Sequence, residues 1–268
     1  MRGASRASLA EARDQLVETA GEAGERIGNE LFAVVALLDS EHGLRRLVSD
    51  PARSGEAKAG LIRTLLDGKV SAVTLDLLSR MVAARWSVPR DLSDAVGELA
   101  VVAFSIAAEQ AGQLDDLEDD LFRFGRVVAG QPELRDALVD QALPAERKRE
   151  LLAALLDGKV SELAERLLTQ AVLQPRGRSL EANLDSYAQL VAERRQRLVA
   201  LVRVASPLTE QQQQRLADGL VRLYGHEVHL NIVLDRQVVG GISVQVGDEL
   251  IDGSVASRLA ELRRRLAG

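Results

Sequence analysis

Two Gly-Lys pairs are the residues with the clearest potential for chemistry, because a Gly-Lys pair in a glycine-rich loop can hold phosphate groups. Gly68-Lys69 and Gly158-Lys159 lie in the same seven residues, LLDGKVS, which occur at 65–71 and again at 155–161. A nucleotide-binding loop requires GxxxxGK followed by Ser or Thr. Both copies lack the upstream glycine and the hydroxyl residue directly after lysine. The pattern therefore favours a structural turn over nucleotide binding.

Two other groups of residues could hold a metal ion. His226 and His229 are three residues apart in a segment with strand alternation, so their side chains point to opposite faces and do not converge. The acidic run at 115–120 matches no calcium-loop spacing, and a solvated helix face is the favoured interpretation. No Ser-His-Asp arrangement or pair of acid and base carboxylates stands out. We expect no active site, no metal and no cofactor.

Composition excludes several classes of protein. The chain of 268 residues has a net charge of −6 with scattered Lys and Arg, whereas nucleic-acid binding needs concentrated positive charge. It contains no cysteine, which removes disulfides and thiolate ligands. No apolar run reaches the ~20 residues of a membrane-spanning helix, and the N-terminus lacks the pattern of a signal peptide. We expect a soluble protein without nucleic-acid partners or direct membrane insertion.

The repeated heptapeptide belongs to a longer internal repeat with an offset of 90 residues. The segment KAGLIRTLLDGKVSAVTLDLLSRMV (58–82) aligns with KRELLAALLDGKVSELAERLLTQAV (148–172), and Leu31-Phe32 aligns with Leu121-Phe122. The repeat predicts a duplicated helical module, with a first copy at 1–110 and a second at 111–197. A helix at 95–111 could close the first copy and open the second, which would give one continuous helical body.

Each heptapeptide is predicted to join two helices. Gly68 and Gly158 lie where a helix ends in a left-handed residue, which glycine adopts without steric cost. Ser71 and Ser161 follow at positions suited to cap the next helix.

The last seventy residues change from a helical to an alternating pattern. LVALVRVAS, EVHLNIVLD and GGISVQV predict strands, and Thr209 with Gln212 forms a capping box at the start of a helix between the first two. The buried face of that helix is predicted at Leu216, Leu220 and Leu223. The fold class is therefore α+β: an all-α helical bundle followed by a small mixed α/β domain at 198–268.

A glycine and aspartate motif in this last domain carries a family resemblance. A GG-containing strand precedes a Gly-Asp turn, and Asp-Gly-Ser then begins a final helix. The motif consists of Gly240, Gly241, Gly247, Asp248, Asp252, Gly253 and Ser254. In this order and combination it resembles the delta subunit of F-type ATP synthase, the family of the mitochondrial oligomycin sensitivity-conferring protein. Members of that family commonly have one helical domain, so the second helical copy is a departure.

The resemblance implies a stator subunit without an active site of its own, a peripheral protein at the cytoplasmic face of the cell membrane. It would join the catalytic head to the peripheral stalk, so that proton-driven rotation is coupled to ATP synthesis. The implied partners are the N-terminal helices of alpha subunits and the stalk b subunit. The candidate residues are Leu9, Ala12 and Leu16 for the alpha subunit, and Arg258, Leu262 and Arg263 for the b subunit. The alternative is a generic helical-repeat scaffold that binds partner helices.

Overall fold

The chain forms two compact units, Met1–Arg194 and Arg195–Gly268. The computed structural model describes residues 1, 3–195, 198–224, 228–235, 241–246 and 249–252. Within these residues the first unit is helical and the second holds a four-stranded sheet. This architecture confirms the predicted fold class. The division of the helical region into copies at 1–110 and 111–197 stays a prediction.

The first unit is built from helices joined by short turns. A single 3₁₀ turn, Gly21–Ala23, lies between the first two helices. The helices are α1 (Ala4–Thr19), α2 (Gly24–Ser40), α3 (His42–Ser49), α4 (Gly55–Leu66), α5 (Ala72–Ala83), α6 (Pro89–Gln110), α7 (Leu114–Gly130), α8 (Pro132–Val139), α9 (Ala145–Leu156), α10 (Glu162–Leu173) and α11 (Leu180–Arg195).

The internal repeat is visible in the helix bounds. Helices α2 to α5 have counterparts in α7 to α10, and each counterpart begins and ends 90 residues later. Helix α6 corresponds to two helices. When the chain is shifted by 90 residues, α1 falls within α6, and the start of α6 falls close to the start of α11. The sequence-level repeat therefore corresponds to a repeat of structure.

The two LLDGKVS segments form the helix, turn and helix that the sequence predicts. Gly68 and Gly158 have φ values of 68° and 63°, in the left-handed region that favours glycine. The Ser71 side chain accepts a hydrogen bond from the backbone N–H three residues later, and Ser161 does the same in the second copy. Both Gly-Lys pairs thus lie in the turns between helices that the sequence predicts.

Helix α6 is the centre of the helical unit. Every residue from 99 to 106 is buried, including Phe104. The helix packs against α1, α2, α3 and α5 on the first-copy side and against α7 and α10 on the second-copy side. Burial of this apolar surface stabilises both copies through the same element. These contacts fit the hypothesis that one helix closes the first copy and opens the second.

The second unit is a mixed sheet with one described helix. Its elements are β1 (Leu198–Val204), α12 (Glu210–Tyr224), β2 (Val228–Leu234), β3 (Ile242–Val246) and β4 (Glu249–Asp252). The strand order is β2-β1-β3-β4, with β1 and β2 parallel and the other pairs antiparallel. A parallel pair needs a crossover, which α12 supplies. Val246 of β3 pairs with Glu249 of β4. The predicted turn at Gly247-Asp248 lies outside the described residues.

Helix α12 begins with the predicted capping box and differs from the prediction at one leucine. The Thr209 N–H donates to Gln212 Oε1 at 2.9 Å, and the Gln212 N–H donates to Thr209 Oγ1 at 3.3 Å. Leu220 is buried and Leu216 is partly buried against the sheet core. Leu223, predicted to be buried, is 64% exposed. It lies in the final turn of the helix, three residues after Leu220 and so on the same side, but this end of the face is not covered.

Asp252 also departs from its predicted position. The sequence places it at the start of a final helix, but it is the last residue of β4 and pairs with Ser243 of β3. The ladder with β3 thus extends the strand through Asp252. The predicted final helix lies outside the described residues.

Candidate docking site

The candidate alpha-subunit residues lie on α1, the first helix of the first copy. Leu16 is fully buried, Ala12 is 5% exposed, and Leu9 is partly buried against the same core. Helix α1 packs against α5 and α6, so Ala12 and Leu16 contribute to that packing. Of the three residues, Leu9 has the most surface left for a partner, and the assignment of all three to an interface stays a prediction.

Leu9 lies beside the α1/α5 seam, the line along which α1 meets α5. Two hydrogen bonds tie the seam: Gln15 Nε2 donates to Asp76 Oδ2 at 2.8 Å, and the Ser8 hydroxyl donates to the Arg85 carbonyl at 2.9 Å. At the start of α1, the Ser5 hydroxyl donates to Asp91 of α6 at 2.6 Å. These bonds hold α1 in one position, so the seam is a defined surface.

The equivalent surface of the second copy is covered by the first copy. The second-copy counterparts of Leu9, Ala12 and Leu16 are Leu99, Val102 and Ile106 of α6, and all three are buried. The nearby start of α10 is also joined to the first copy, because Arg166 forms an ion pair with Glu25 of α2 at 3.1 Å. A partner helix could therefore reach this kind of surface on the first copy more readily than on the second.

An acidic residue anchors the turn of each copy. Glu30 of α2 accepts hydrogen bonds from the Ser71 N–H (3.0 Å), the Ser71 hydroxyl (2.7 Å) and the Thr74 hydroxyl (2.6 Å). Asp120 of α7 accepts one from the Ser161 N–H at 2.9 Å. Burial would raise the pKa of Glu30, but these hydrogen bonds and one from Arg26 outweigh it and lower the pKa.

A second polar group, the Arg176 clasp, joins the two copies. Arg176 lies between α10 and α11 with φ of 52° and donates from Nε to Asp39 of α2 at 2.6 Å. Its guanidinium also lies 3.0 Å from Asp94 of α6 and donates to the Ser93 hydroxyl at 2.5 Å. Gly97 makes room for it, because a Cβ there would lie 2.7 Å from Arg176 Nη1. The clasp therefore connects the segment between α10 and α11 to both α2 and α6 through one side chain.

Burial and nearby charges shift the pKa of several groups around the clasp. Burial would raise the pKa of Asp39, but hydrogen bonds from Arg176 and Ser93 and the nearby positive charges hold it below its usual value. Burial raises the pKa of Glu98 despite the opposing charge of Arg178. Burial likewise raises the pKa of Tyr187 to about 12. The centre of the helical unit thus contains ionisable groups that serve packing and cohesion.

The candidate b-subunit residues and most of the glycine and aspartate motif lie outside the described residues. These are Arg258, Leu262 and Arg263, together with Gly240, Gly247, Asp248, Gly253 and Ser254. Gly241 is described and has φ of 86°, a conformation that requires glycine. His226, considered above as a metal ligand, is also outside the described part.

Neither a metal cluster nor a spanning helix is found in the described part of the chain. No group of three or more His, Asp or Glu side chains comes close enough there to hold a metal ion. In the acidic run, Asp120 turns inward to Ser161 and so takes part in the fold. Among the described helices none is long and apolar enough to cross a membrane.

Comparison with known proteins gives matches over the whole length of the chain. Relatives named "ATP synthase subunit delta" from Thermobifida fusca (strain YX) and from Streptomyces griseus subsp. griseus are each 52% identical over 271 residues, covering 100% of this chain and 100% of theirs. A relative with the same name from Acidothermus cellulolyticus is 45% identical, again with 100% of both chains covered. These relatives therefore include a segment equivalent to the first helical copy.

A solved structure and a family model also match. A chain in the mitochondrial ATP synthase hexamer of Toxoplasma gondii is 22% identical, covering 63% of this chain and 95% of that one, but its TM-score of 0.30 adds nothing to the assignment. The family model described as "ATP synthase delta (OSCP) subunit" matches residues 97–266, from within α6 to near the C-terminus. The match to the family model and the full-length relatives show that this chain belongs to the ATP synthase delta (OSCP) subunit family.

Proposed function

We propose that this chain is the stator subunit that links the catalytic head of F-type ATP synthase to its peripheral stalk. It is a structural component of the stalk and has no active site of its own. The observation that supports this function is the 52% identity, over all of both chains, to ATP synthase delta subunits. The generic helical-repeat scaffold is not favoured, because those relatives share the helical unit and the α/β unit in one chain.

The fold suits a mechanical link. Torque on the central shaft of a rotary motor would turn the catalytic head as well unless a stator held the head still. Helix bundles bind partner helices in apolar grooves through anchors spaced at i, i+3, i+4 and i+7. Such contacts hold without catalytic residues, and the ionisable groups of the helical unit serve packing instead.

The proposed alpha-subunit contact is the α1/α5 seam. In the second copy the equivalent helix is α6, whose residues 99–106 are buried, whereas α1 has neighbours on the first-copy side and a partly exposed Leu9. An alpha-subunit helix would place an apolar side chain against Leu9 while Ala12 and Leu16 support α1 from below. The seam would then dock the head through the copy that lies outside the family-model match.

The proposed b-subunit contact is the last part of the chain, at Arg258, Leu262 and Arg263. Its support is the sequence resemblance of the α/β unit to the family. A chain bound in this way would be peripheral, at the cytoplasmic face of the cell membrane, where the head and the stalk meet.

Calorimetric titration of the full chain tests both contacts. We expect separate binding of a peptide from the alpha-subunit N-terminus and of the C-terminal segment of the b subunit. Leu9→Ala should weaken alpha-peptide binding about tenfold, the loss typical of an interface anchor worth ~1.4 kcal/mol. Leu61→Ala on α4, where Leu61 is 36% exposed, is the matched control and should leave it unchanged. Absence of binding to both segments would return the scaffold interpretation to first place.

A further inference from the structure

A small polar cavity lies between the two helical copies. The first copy lines it with Phe32 and Val35 of α2 and with Glu98 of α6, and the second copy with residues of α10, α11 and the segment between them. Its volume of about 30 Å³ is roughly a tenth of that of a small ligand pocket. The cavity is therefore too small for an organic ligand, and its polar side chains act on the junction between the copies.

Glu98 is the acidic side chain of this cavity that has no pairing partner. Asp94 also lines the cavity, but it forms an ion pair with Arg176 at 3.0 Å. Neither a hydrogen bond nor an ion pair to Glu98 is found among the residues that the structure describes. Glu98 is partly buried and borders the cavity, so a proton from solvent can reach it. A carboxylate in such surroundings is less favourable than a neutral carboxyl group.

The charges around Glu98 come from several elements. Asp94, one turn earlier on α6, is a like charge, whereas Arg178, the amino terminus and Arg13 of α1 are opposite charges. Burial of Glu98 outweighs these opposite charges, so its pKa is raised. The other elements contribute Asp39 of α2, which Arg176 neutralises, the uncharged Gln170 and Gln174 of α10, and Tyr187 of α11, whose pKa of about 12 keeps it neutral.

The first copy shows which form of the side chain suits this position. The counterpart of Glu98 is Ser8 of α1, a neutral hydroxyl that donates to the Arg85 carbonyl at 2.9 Å. A protonated carboxyl group is likewise a neutral donor, whereas a carboxylate only accepts. The cavity lining offers acceptor oxygens on Gln170, Gln174 and Tyr187. With a proton bound, Glu98 can therefore make the kind of hydrogen bond that Ser8 makes in the first copy.

We propose that Glu98 is a pH-sensitive switch between the two copies: binding of a proton to its carboxylate holds α10 and α11 more firmly on α6, and release of the proton loosens them. The extra stability is present below the unfolded pKa of about 4.3 and is lost as pH rises through the higher folded value. Asp39 of the clasp acts in the opposite direction and in stronger acid, because its pKa is lowered. The switch lies within the helical unit and does not rest on the proposed function.

Hydrogen exchange of the isolated full chain tests this switch. Mass spectrometry follows exchange at pH values from about 4.5 to 8, corrected for the intrinsic effect of pH on exchange. We expect peptides from α10 and α11 to exchange at least about threefold faster at the upper end of this range than at the lower end. Peptides from α4, which contributes no residue to the cavity lining, are the internal comparison and should change less.

Two neutral variants remove the switch. Glu98→Gln keeps the size of the side chain and should exchange slowly in α10 and α11 at every pH. Glu98→Ser has the residue of the first copy and should also lose the pH dependence, so the test does not depend on one substitution. Glu18→Gln removes the same charge from an exposed position on α1 and should behave as the natural chain. His42→Gln should do so too, and it replaces the one histidine in the sequence of the helical unit.

The carboxyl carbon of Glu98 gives a direct measurement of proton binding. In a chain with isotope-labelled glutamate, the magnetic resonance signal that Glu98→Gln removes should titrate above about 4.3, the ordinary value for glutamate. A titration at or below that value overturns the inference. Exchange that stays pH-dependent in both neutral variants does the same. An equal response of α4 would also overturn it, because the whole helical unit rather than the junction would then respond to pH.

Discussion

The two helical copies share their helix boundaries but not the closeness of their packing. In the first copy α2 lies directly on α6, because Gly24 and Gly28 leave no side chain between the helices. An added Cβ at Gly24 would be 2.7 Å from the Ala103 carbonyl oxygen. The counterparts of these glycines on α7 are Leu114 and Glu118. Turn residues that both copies keep thus fix where helices end, whereas a few small residues decide how closely they pack.

A pair of equivalent phenylalanines shows the consequence. Phe32 of α2 is buried, with ring centroids 5.9 Å from Phe104 and 6.4 Å from Tyr187. Its counterpart Phe122 of α7 is 62% exposed, with Arg126 located 6.0 Å from its ring centroid. The same residue type is therefore part of the core in one copy and part of the surface in the other. The first copy is specialised for cohesion and the second leaves surfaces open.

The largest expected effect comes from giving the first copy a residue of the second. Gly24→Leu would force α2 away from the α6 backbone and should lower the free energy of unfolding by roughly 3 kcal/mol, as overpacking at a rigid contact does. The reverse change, Leu114→Gly in α7, should cost about 1 kcal/mol or less, because Leu114 is only partly buried. Urea unfolding measures both. Equal losses of unfolding free energy in the two variants would show that α2 and α7 do not differ in how closely they pack.

A smaller effect is expected from the Arg176 clasp, which joins the two copies. Arg176→Met leaves Asp39 and Asp94 without their shared cation and should lower the free energy of unfolding by about 2 kcal/mol near pH 7. The comparison variant is Arg166→Met, which removes the more exposed pair with Glu25 and should cost under about 1 kcal/mol.

The effect of the clasp should also depend on pH. The pKa of Asp39 is depressed in the folded chain, so its contribution is present above its unfolded pKa of about 3.9 and is lost as pH falls through the lower folded value. The stability difference between the natural chain and Arg176→Met should therefore shrink in acid. Unfolding curves measured at several values between pH 7 and pH 3 would show this, and a difference independent of pH would contradict the role of the Asp39 charge.

The next largest losses of unfolding free energy are expected at Glu30 and Asp120, the acidic residues that anchor the two turns. Glu30→Gln affects a carboxylate that accepts four hydrogen bonds, three of them from Ser71 and Thr74, and we expect a loss of about 1.5–2 kcal/mol in unfolding free energy. Asp120→Asn affects one backbone hydrogen bond and should cost about 1 kcal/mol. Thermal unfolding of the two variants checks the order. A larger loss for Asp120→Asn would mean that burial outweighs the number of bonds.

The smallest stability change is expected where α9 meets α10. There Ala145 and Leu173 stand in place of Gly55 and Ala83 of the first copy, and α9 packs less closely on α10 than α4 does on α5. Ala145→Gly should let α9 approach α10, and its unfolding free energy should change by under about 1 kcal/mol, because better packing offsets the entropy of glycine. Gly55→Ala is the matched change in the first copy and should cost more, because its Cβ would lie 3.0 Å from the Ala83 carbonyl oxygen. Urea unfolding of both variants measures the difference, and a larger loss for Ala145→Gly would contradict it.

Local signals in the sequence predicted much of this architecture. The left-handed glycines at 68 and 158, the serine caps and the Thr209 capping box depend on neighbouring residues, and the structure has all of them. Leu223 was assigned wrongly because a leucine at helical spacing in a final turn need not face the core. Asp252 was placed in a helix because strand pairing with Ser243 is not visible in the local sequence.

Long-range contacts limited the prediction of the candidate sites. The acid at 30 and its counterpart at 120 each precede a Leu-Phe pair, and each lies 41 residues before the serine that it binds. That repeat was a usable signal for both anchors. The looser packing of α9 on α10 depends on Ala145 and Leu173, residues from two helices whose sizes matter only when the helices meet. No spacing along the chain indicates it, and the same holds for the clasp of Arg176 on Asp39.

The helix α6 shared by both copies has a consequence for how such a chain can evolve. An α-helix turns about 100° for each residue, so one residue gained or lost within α6 would rotate everything after it relative to everything before it. Insertions are tolerated in exposed loops, but inside this buried helix they would change the angle between the α1/α5 seam of the first copy and the helices of the second copy. The two copies can therefore diverge in their side chains while the length of the helix between them is held constant.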